Sequence, residues 1–338
     1  MHLAALVEAP GHVCCRYRFA AFREPLANAG HALDLVPYPR SLWGRLRLGA
    51  DLADFDAVVI QRRLLPWWQL RPLRRRARRL LFDLDDAVYL RDSYSRHGLH
   101  DPGRLRRYAA VCRAADAIIA GNAFLAAEAR RRGAAAVHVI PSCVDPSLYP
   151  IAEHHRSHEV ELVWIGSSST LQGLKQIAPL LEHVGRSCRG ARLKLVCNSF
   201  FRLEHLPIVE ARWSEASEGR ELASADVGIA WVPDDDWSRG KCGLKVLQFM
   251  AAGLPVIANP VGVHPEMVRH GETGFLASTP REWADAVTCL QTDPDLRCRM
   301  GRAARRRVEQ DYSVATGAAL WRGVLDGLER DAGRRRTA

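Results

Sequence analysis

Residues 238–262 carry positive charges in a pattern that suits an anionic ligand. The run SRGKCGLKVLQFMAAGLPVIANPVG places Arg239, Lys241 and Lys245 at the start of an apolar helix, followed by a buried strand and a glycine turn at Gly262. A helix that starts after such a turn presents free backbone N–H groups and a partial positive charge, which favour phosphate oxygens. With the lysines on the opposite side, these groups predict a site for a nucleoside diphosphate.

Other groups of this segment can bond the same ligand. Lys245 and Gln248 are three residues apart and so lie on one helix face, where Gln248 is placed to bond a ribose hydroxyl. Gly262 and Val263 supply the amides of the next helix start. The structural alternative is a solvated cationic helix start followed by ordinary core.

A second candidate group consists of carboxylates. DLDDA at 83–87 follows a predicted strand, so Asp83, Asp85 or Asp86 is expected at the ligand-binding edge of a sheet. Adjacent carboxylates there could orient hydroxyl groups, and one could accept a proton. Each aspartate taken singly also fits a helix or turn cap.

Strands and helices that alternate along the chain must position these residues. Strand-like apolar runs lie at 3–9, 32–38, 55–62, 79–88, 116–122 and 136–142, and again at 161–167, 192–198, 225–232, 254–260 and 274–278. Strands separated by helices on this scale are typical of parallel βαβ units covered on both faces. We therefore predict an α/β fold with two Rossmann-like, doubly wound domains facing across a cleft.

The predicted domain boundaries follow from the breaks in this pattern. The polar stretch PIAEHHRSHE suits a linker, so we place the first domain at 1–152 and the second at 153–315. The histidines of this stretch lack the spacing of a recognised metal site. A final amphipathic helix is predicted at 316–332.

Charge and cysteine content limit the partners and the compartment. The net charge of +10 and the pI near 9.4 suit nucleic acid, an anionic membrane or phosphorylated substrates. The nine cysteines show no zinc-ligand spacing and are typical of reduced thiols, and no signal peptide or membrane span is visible. We expect a cytoplasmic protein.

The second half resembles the GT-B glycosyltransferases, specifically glycosyltransferase family 4. Its signature, a helix ending in M-A-x-G-x-P-V, then a glycine turn, a glutamate and G-x-x-G-x-L, matches Met250, Ala251, Gly253, Pro255, Val256, Gly262, Glu266, Gly271 and Gly274. IPSCVDPSLYP at 140–150 is similar to the I-P-N-G-V-D segment between the family's domains.

The chain also departs from the family pattern. Gly240 and Gln248 stand where the family commonly has two glutamates, and Ser167 and Gln172 stand where it has a phosphate-binding arginine and lysine. Since Lys241 and Lys245 lie close to the first pair, we expect a relocated diphosphate site. The chain would then belong to a divergent subgroup that carries R-G-K-C-G-x-K-x-L-Q. Ser167 is still expected among the donor-binding residues.

The resemblance implies an activity and roles for these residues. It implies transfer of a sugar from a nucleoside-diphosphate sugar to an acceptor hydroxyl, with retention and without a metal ion or other cofactor. Asp85, Asp86 and Lys241 are then the catalytic candidates, and Arg16 and Arg18 lie on the acceptor side. The resemblance also implies that the final helix returns to the first domain.

The acceptor and the other partners stay open. A glycan, a lipid-linked saccharide or a small molecule would each serve as acceptor. PWWQLRPLRRRARRL, with Trp67 and Trp68, fits either a peripheral membrane contact or a charged helix with a packed tryptophan.

Two other functions compete with transfer. A sugar-nucleotide epimerase of the same fold would turn over the donor alone. A nucleic-acid-binding protein is disfavoured because the arginine runs lack interleaved aromatic residues, so no specific nucleic acid is expected. Dehydrogenases and P-loop ATPases are disfavoured because neither glycine motif occurs.

Overall fold

The computed structural model of the chain describes residues 1–154 and 159–337, with side chains up to residue 330. Residues 155–158 of the predicted linker lie outside the described residues. The chain divides into two compact units. The first comprises Met1–Cys143, Asp235–Cys242 and the C-terminal helix, and the second comprises Val144–Asp234 and Gly243–Ser313. Residues 235–242 thus pack with the first unit, although the division predicted from the sequence placed them in the second domain.

The first unit contains a six-stranded sheet in the order β2-β1-β3-β4-β5-β6. All its pairings are parallel. The strands are β1 (His2–Val7), β2 (Ala32–Pro37), β3 (Ala57–Gln61), β4 (Leu80–Leu84), β5 (Ala117–Ala120) and β6 (Val137–Val139). The helices are α1 (Val13–Arg18), α2 (Arg23–Asn28), α3 (Leu42–Asp51), α4 (Trp67–Arg76), α5 (Pro102–Ala114), α6 (Ala123–Arg131), α10 (Asp236–Arg239) and α15 (Val314–Thr337).

The second unit contains a six-stranded parallel sheet in the order β12-β11-β10-β7-β8-β9. Its strands are β7 (Val160–Ile165), β8 (Ala191–Cys197), β9 (Ile208–Arg212), β10 (Val227–Ala230), β11 (Val256–Ala258) and β12 (Gly274–Leu276). Its helices are α7 (Leu171–Gln176), α8 (Ala178–Ser187), α9 (Glu218–Ala223), α11 (Leu244–Ala251), α12 (His264–Met267), α13 (Pro280–Thr292) and α14 (Pro294–Asp311). Two parallel doubly wound sheets confirm the predicted α/β class.

Apolar layers cover both faces of the first sheet. Residues of α3, α4, α5 and α6 form the core on one face, and residues of α1, α2 and α15 form the core on the other. Trp321 of α15 is 2% exposed and packs against Phe19, with ring centroids 5.9 Å apart. The inner strands β1, β3, β4 and β5 are buried on both faces, which explains why they read as mostly apolar runs.

Two local predictions were incomplete. The sequence pattern missed β9, because this edge strand is half-exposed and lacks a continuous apolar run. The apolar periodicity and closing Gly30 of residues 16–31 predict one amphipathic helix, but the structure divides this region into α1, a 3₁₀ turn at Ala20–Phe22 and α2. Pro25, which has no backbone N–H to donate to the preceding turn, accounts for part of this interruption.

Candidate functional site

Polar side chains gather at the carboxyl edge of the first sheet, where parallel strands of an open α/β sheet end and ligands bind. Arg62 follows β3, and Asp85 and Asp86 follow β4. Asn122 follows β5 and is 4% exposed. Lys241 joins them from the segment Asp235–Cys242 of the same unit.

Arg62 connects the two carboxylates. Its Nη2 donates to Asp86 Oδ2 at 3.0 Å, and its Nε lies 3.3 Å from Asp85 Oδ1. A third donor, Nη1, bonds the Cys14 sulfur. Arg62 has φ of 57°, the left-handed conformation that favours glycine, and it is the non-glycine residue with positive φ among those described. The ion pairs therefore hold a strained backbone position at this edge.

Lys241 lies on the other side of Asp86. Its Nζ is 3.9 Å from Asp86 Oδ2 and 3.4 Å from the centre of the Trp237 ring. Burial raises the pKa of Asp86, while the charges of Lys241 and Arg62 oppose that rise. A carboxylate with a raised pKa, held between two cations, is suited to orient a hydroxyl group and to accept its proton. The structure thus brings the predicted catalytic residues Asp85, Asp86 and Lys241 together.

Asn122 fixes the segment that carries Lys241. Its Nδ2 donates to the carbonyl oxygens of Arg239 at 3.3 Å and Lys241 at 3.0 Å. Its Oδ1 caps α6 by accepting from the Leu125 amide at 2.8 Å. A methyl group added at Gly240 would lie 2.6 Å from Ala87 Cβ, so the segment packs closely on the loop after β4.

Arg18 does not lie where the sequence prediction placed it. It is fully buried, forms a bidentate ion pair with Asp83, and donates to the Ile140 carbonyl oxygen at 2.6 Å. A carboxylate from β4 offsets the cost of burying its charge. Arg18 and Asp83 are therefore internal structural residues in this fold. The half-buried Arg16 lies over the Tyr17 ring at 4.5 Å, and its acceptor-side role stays a prediction.

The predicted helix that began among Arg239, Lys241 and Lys245 is interrupted. Helix α10 ends at Arg239, and α11 begins at Leu244 after Gly243, whose φ is 62°. The left-handed residue ends any continuous helix there. As a result Lys241 belongs to the first unit, and Lys245 and Gly262 belong to the second.

Lys245 and Ser167 lie near one another at the carboxyl edge of the second sheet. Thr170 Oγ1 accepts from Lys245 Nζ at 3.3 Å and from the Ser167 amide at 3.1 Å. Lys245 Nζ also lies 4.1 Å from the centre of the Trp164 ring. A side chain at Gly166 would come within 2.7 Å of that nitrogen. Glycine at this position therefore leaves room for the ammonium group beside an exposed serine turn.

Gln248 is buried rather than free for a ribose. It is 5% exposed, and its Nε2 donates to the Tyr149 hydroxyl at 3.3 Å. That hydroxyl donates to Glu218 at 3.3 Å, and Glu218 accepts from Trp213 at 3.0 Å. The predicted ribose contact is therefore wrong for this conformation, because the apolar face of α11 is wider than the sequence analysis assumed and includes Gln248.

The predicted glycine turn is present after β11. Gly262 is exposed with φ of 60°, whereas the Val263 side chain is buried. The helix that follows, α12, has 4 residues. His264 donates from Nδ1 to the Asn259 carbonyl oxygen at 2.9 Å, and burial lowers its pKa to about 4, aided by the Lys245 charge. A neutral histidine therefore lies beside the lysine.

Arg62 and Trp237 belong to the first-unit site and were not predicted from the sequence. Arg62 is the last residue of the strand-like run predicted at 55–62, and this position at a strand end could have identified it. Trp237 had no comparable signal. It lies on the short helix α10, which does not directly follow a strand and which packs with the first unit.

A family comparison adds a sequence relationship in the second unit. Residues 191–293 match the family model described as glycosyl transferases group 1. The predicted likeness to that group is confirmed over this segment. Assignment to family 4 and to the divergent subgroup stays a prediction.

Curated relatives match over short stretches. The D-inositol 3-phosphate glycosyltransferase of Corynebacterium glutamicum is 41% identical over 80 residues, which are 23% of this chain and 19% of the relative. The sulfoquinovosyl transferase SQD2 of Arabidopsis thaliana is 38% identical over 171 residues, 44% of this chain and 32% of the relative. The matches thus span a fifth to a third of the length of these relatives.

Solved structures share the fold over nearly the whole chain. Sucrose-phosphate synthase from Thermosynechococcus elongatus has a TM-score of 0.76 at 18% identity, and the alignment covers 98% of this chain and 99% of the synthase chain. HepE of Anabaena, solved with UDP and glucose, has a TM-score of 0.70 at 16% identity and covers 97% and 100%. The GT-B fold class is therefore confirmed. Within 1–154 and 159–337, no helix combines the length and apolar character needed to cross a bilayer.

Proposed function

We propose that the protein is a glycosyltransferase that moves a sugar from a nucleoside-diphosphate sugar to an acceptor hydroxyl, with retention and without a metal ion. The match of residues 191–293 to the group 1 glycosyltransferases carries this proposal. The relatives, named for inositol 3-phosphate and for sulfoquinovosyl transfer, support the reaction class and leave the sugar and acceptor open.

The second unit binds the donor in this proposal. Lys245 provides a cation beside the Ser167 turn, and the backbone at Gly262 and Val263 provides amides. A lysine ammonium neutralises charge that develops on a leaving diphosphate, and fixed amides bond its oxygens. Because His264 is neutral above its pKa of about 4, the positive charge at this site comes from Lys245 and not from the histidine.

The first unit binds the acceptor and holds the carboxylate that orients it. Asp86, between Arg62 and Lys241, accepts a hydrogen bond from the acceptor hydroxyl. As the bond between the anomeric carbon and the diphosphate oxygen breaks, the acceptor oxygen bonds that carbon. The acceptor proton passes to the diphosphate oxygen. Arg16 remains on the acceptor side of this proposal.

Calorimetric titration with UDP, GDP, ADP, CDP and dTDP tests the donor site. UDP comes first because HepE was solved with UDP. We expect one nucleotide to bind, and Lys245→Ala to weaken its binding about tenfold or more. Exposed Lys175 on α7 gives the matched control, since Lys175→Ala removes a lysine of the same unit. If no nucleotide binds the wild-type protein, the donor site is refuted.

Product analysis then separates transfer from epimerisation. Incubation of the bound nucleotide's sugar conjugates with candidate acceptors should give a glycoside with the donor's anomeric configuration, detected by NMR. Activity should persist in excess EDTA. Conversion of the donor without acceptor would favour an epimerase, and inverted product or loss of activity in EDTA would overturn those parts of the proposal.

The contribution of Lys241 is a separate question. If Lys241 acts on the bound acceptor, Lys241→Ala should leave nucleotide affinity within about twofold and lower kcat. If the variant instead loses nucleotide affinity as Lys245→Ala does, Lys241 belongs to the donor site as the sequence predicted.

A further inference from the structure

Four large apolar side chains of the first unit are exposed in the first half of α3 and at the start of α4. Leu42 is 63% exposed, Trp43 78% and Leu46 51% on α3, and Trp67 of α4 is 73% exposed. We call these four residues the apolar rim. Trp68, which the sequence analysis paired with Trp67, is half-buried and does not belong to it. Exposed tryptophans and leucines grouped in this way are unusual on a soluble surface and mark an interaction site.

The topology places the rim at one edge of the unit. Helix α3 follows β2 and α4 follows β3, and both strands run in the same direction in the sheet. The starts of the two helices therefore both lie at the carboxyl edge. The helices also pack closely, since a methyl group added at Gly49 would lie 3.1 Å from the Pro72 carbonyl oxygen. The rim is thus on the same edge as Arg62, Asp85 and Asp86.

Arginines accompany the rim. Arg40 and Arg63 are exposed beside the helix starts. The guanidinium groups of Arg63 and Arg45 lie over the Tyr38 ring at 3.8 and 5.4 Å. Arg47 has a side-chain exposure of 74% and lies 3.9 Å from Asp51, at the far end of α3. The acidic residue of α3, Asp51, thus lies toward the opposite edge, and the exposed charged residues beside the two helix starts, Arg40 and Arg63, are cationic.

We propose that the apolar rim docks on an anionic lipid bilayer, with Leu42, Trp43, Leu46 and Trp67 entering the headgroup region and the arginines binding lipid phosphates. Tryptophan favours the membrane interface, and basic residues add attraction to anionic lipid. Leucine side chains offer a bilayer an apolar surface but offer nucleic-acid bases no stacking platform. The charge and the side-chain types together select lipid.

Docking sets the orientation of the first unit. The carboxyl edge, with Asp86 and Arg62, faces the bilayer surface when the rim is inserted. A hydroxyl group carried by a lipid or held at the headgroups then lies on the side of the sheet where these residues are. The docking itself does not depend on the proposed sugar transfer, and it can be tested without a donor or an acceptor.

Vesicle sedimentation of the full chain tests the proposal. Vesicles of phosphatidylcholine with phosphatidylglycerol are compared with phosphatidylcholine alone, at low and at physiological salt. We expect binding to the anionic vesicles that salt weakens, and about a tenfold lower partition coefficient for Trp43→Ser with Trp67→Ser. Leu148→Ser is the matched control, because Leu148 is 68% exposed in the second unit. It should bind like the wild-type protein.

Several outcomes would overturn the proposal. The proposal fails if the wild-type protein does not bind anionic vesicles. It also fails if the double tryptophan-to-serine variant has the wild-type melting temperature and binds these vesicles as tightly as the wild-type protein. A dimer by light scattering that becomes a monomer in the double variant would make the rim an interface between copies. Tryptophan-dependent binding of an RNA oligonucleotide without vesicle binding would assign the rim to nucleic acid.

If the double serine variant fails to fold, Trp43→Phe with Trp67→Phe keeps the test decisive. Brominated phosphatidylglycerol quenches tryptophans that enter the bilayer, so the wild-type fluorescence should fall on binding. The phenylalanine variant should bind but lose most of that quenching. Unchanged quenching would mean that other tryptophans enter the bilayer, and the rim assignment would be wrong.

Discussion

Arg62 Nη2 donates to Asp86 Oδ2 at 3.0 Å, and the residue that makes this bond has φ of 57°. The bond joins the residues that follow β3 and β4, which are adjacent strands of the sheet. A side chain in the left-handed region costs on the order of 1 kcal/mol or more, which neighbouring interactions must offset. The contacts of Arg62 with Asp85, Asp86 and Cys14 supply that compensation.

Replacing Arg62 by glycine and by alanine separates the backbone from the ion pairs. Both variants lose the guanidinium, but alanine retains the strain. We expect Arg62→Ala to be less stable than Arg62→Gly by about 1 kcal/mol in urea unfolding. The neighbouring Arg63 provides the control, since its φ is not positive. There the order should reverse, with alanine the more stable variant; the same order at both positions would contradict the strain.

The buried pair of Arg18 and Asp83 predicts a large effect from a single substitution. Asp83→Ala leaves a fully buried guanidinium without its carboxylate, and we expect a loss of about 3–5 kcal/mol of unfolding free energy. Arg18→Met with Asp83→Leu removes both charges and should recover much of that loss. Chemical denaturation measures both variants. A cost below about 1 kcal/mol for Asp83→Ala would refute the structural role.

Gly243 is predicted to require glycine for two reasons. Its φ is 62°, and an added Cβ would lie 2.5 Å from Met267 Sδ and 2.9 Å from Val263 Cγ2. Gly271 has φ of 79° but open space around a Cβ, so Gly271→Ala measures the backbone effect alone. We expect Gly243→Ala to be destabilised by about 1–3 kcal/mol more than Gly271→Ala in thermal unfolding. Equal losses would show that the steric contact is absent.

His264 predicts a pH dependence of stability. Burial lowers its pKa from 6.5 to about 4. Between those values the unfolded chain binds a proton that the folded chain does not, so stability is retained above pH 6.5 and falls as the pH drops toward 4. From pH 7 to pH 5 this histidine alone should remove about 2 kcal/mol.

Urea unfolding at a series of pH values measures that dependence. His264→Asn, which keeps an amide donor for the Asn259 carbonyl oxygen, should flatten the profile by about 2 kcal/mol between pH 7 and pH 5. His97→Asn is the control, because His97 is exposed. A profile for His264→Asn that parallels the wild type would show that His264 titrates normally.

Most strands could be predicted from the sequence because a strand buried on both faces requires apolar residues, and such a run is visible in the sequence. β3 and β4 are buried on both faces and read as runs that are apolar except for Gln61 and Asp83. The half-exposed edge strand β9 carried no such run and was missed. The position of candidate residues directly after strands followed from the same rule, and it placed Asp85 and Asp86 at a sheet edge.

The sequence by itself determined the α/β class, most strand positions and the cationic character of the segment around Lys245. These features depend on apolar runs and charged residues that are visible in short stretches of sequence. Only the tertiary structure decided which charged residues have partners. Arg16 and Arg18 lie on one helix, but only Arg18 is fully buried, where it pairs with Asp83, 65 residues away. Lys241 and Lys245 are four residues apart, but Asn122 holds the carbonyl oxygen of Lys241 in the first unit. Such partners come from distant strands, and no local pattern encodes them.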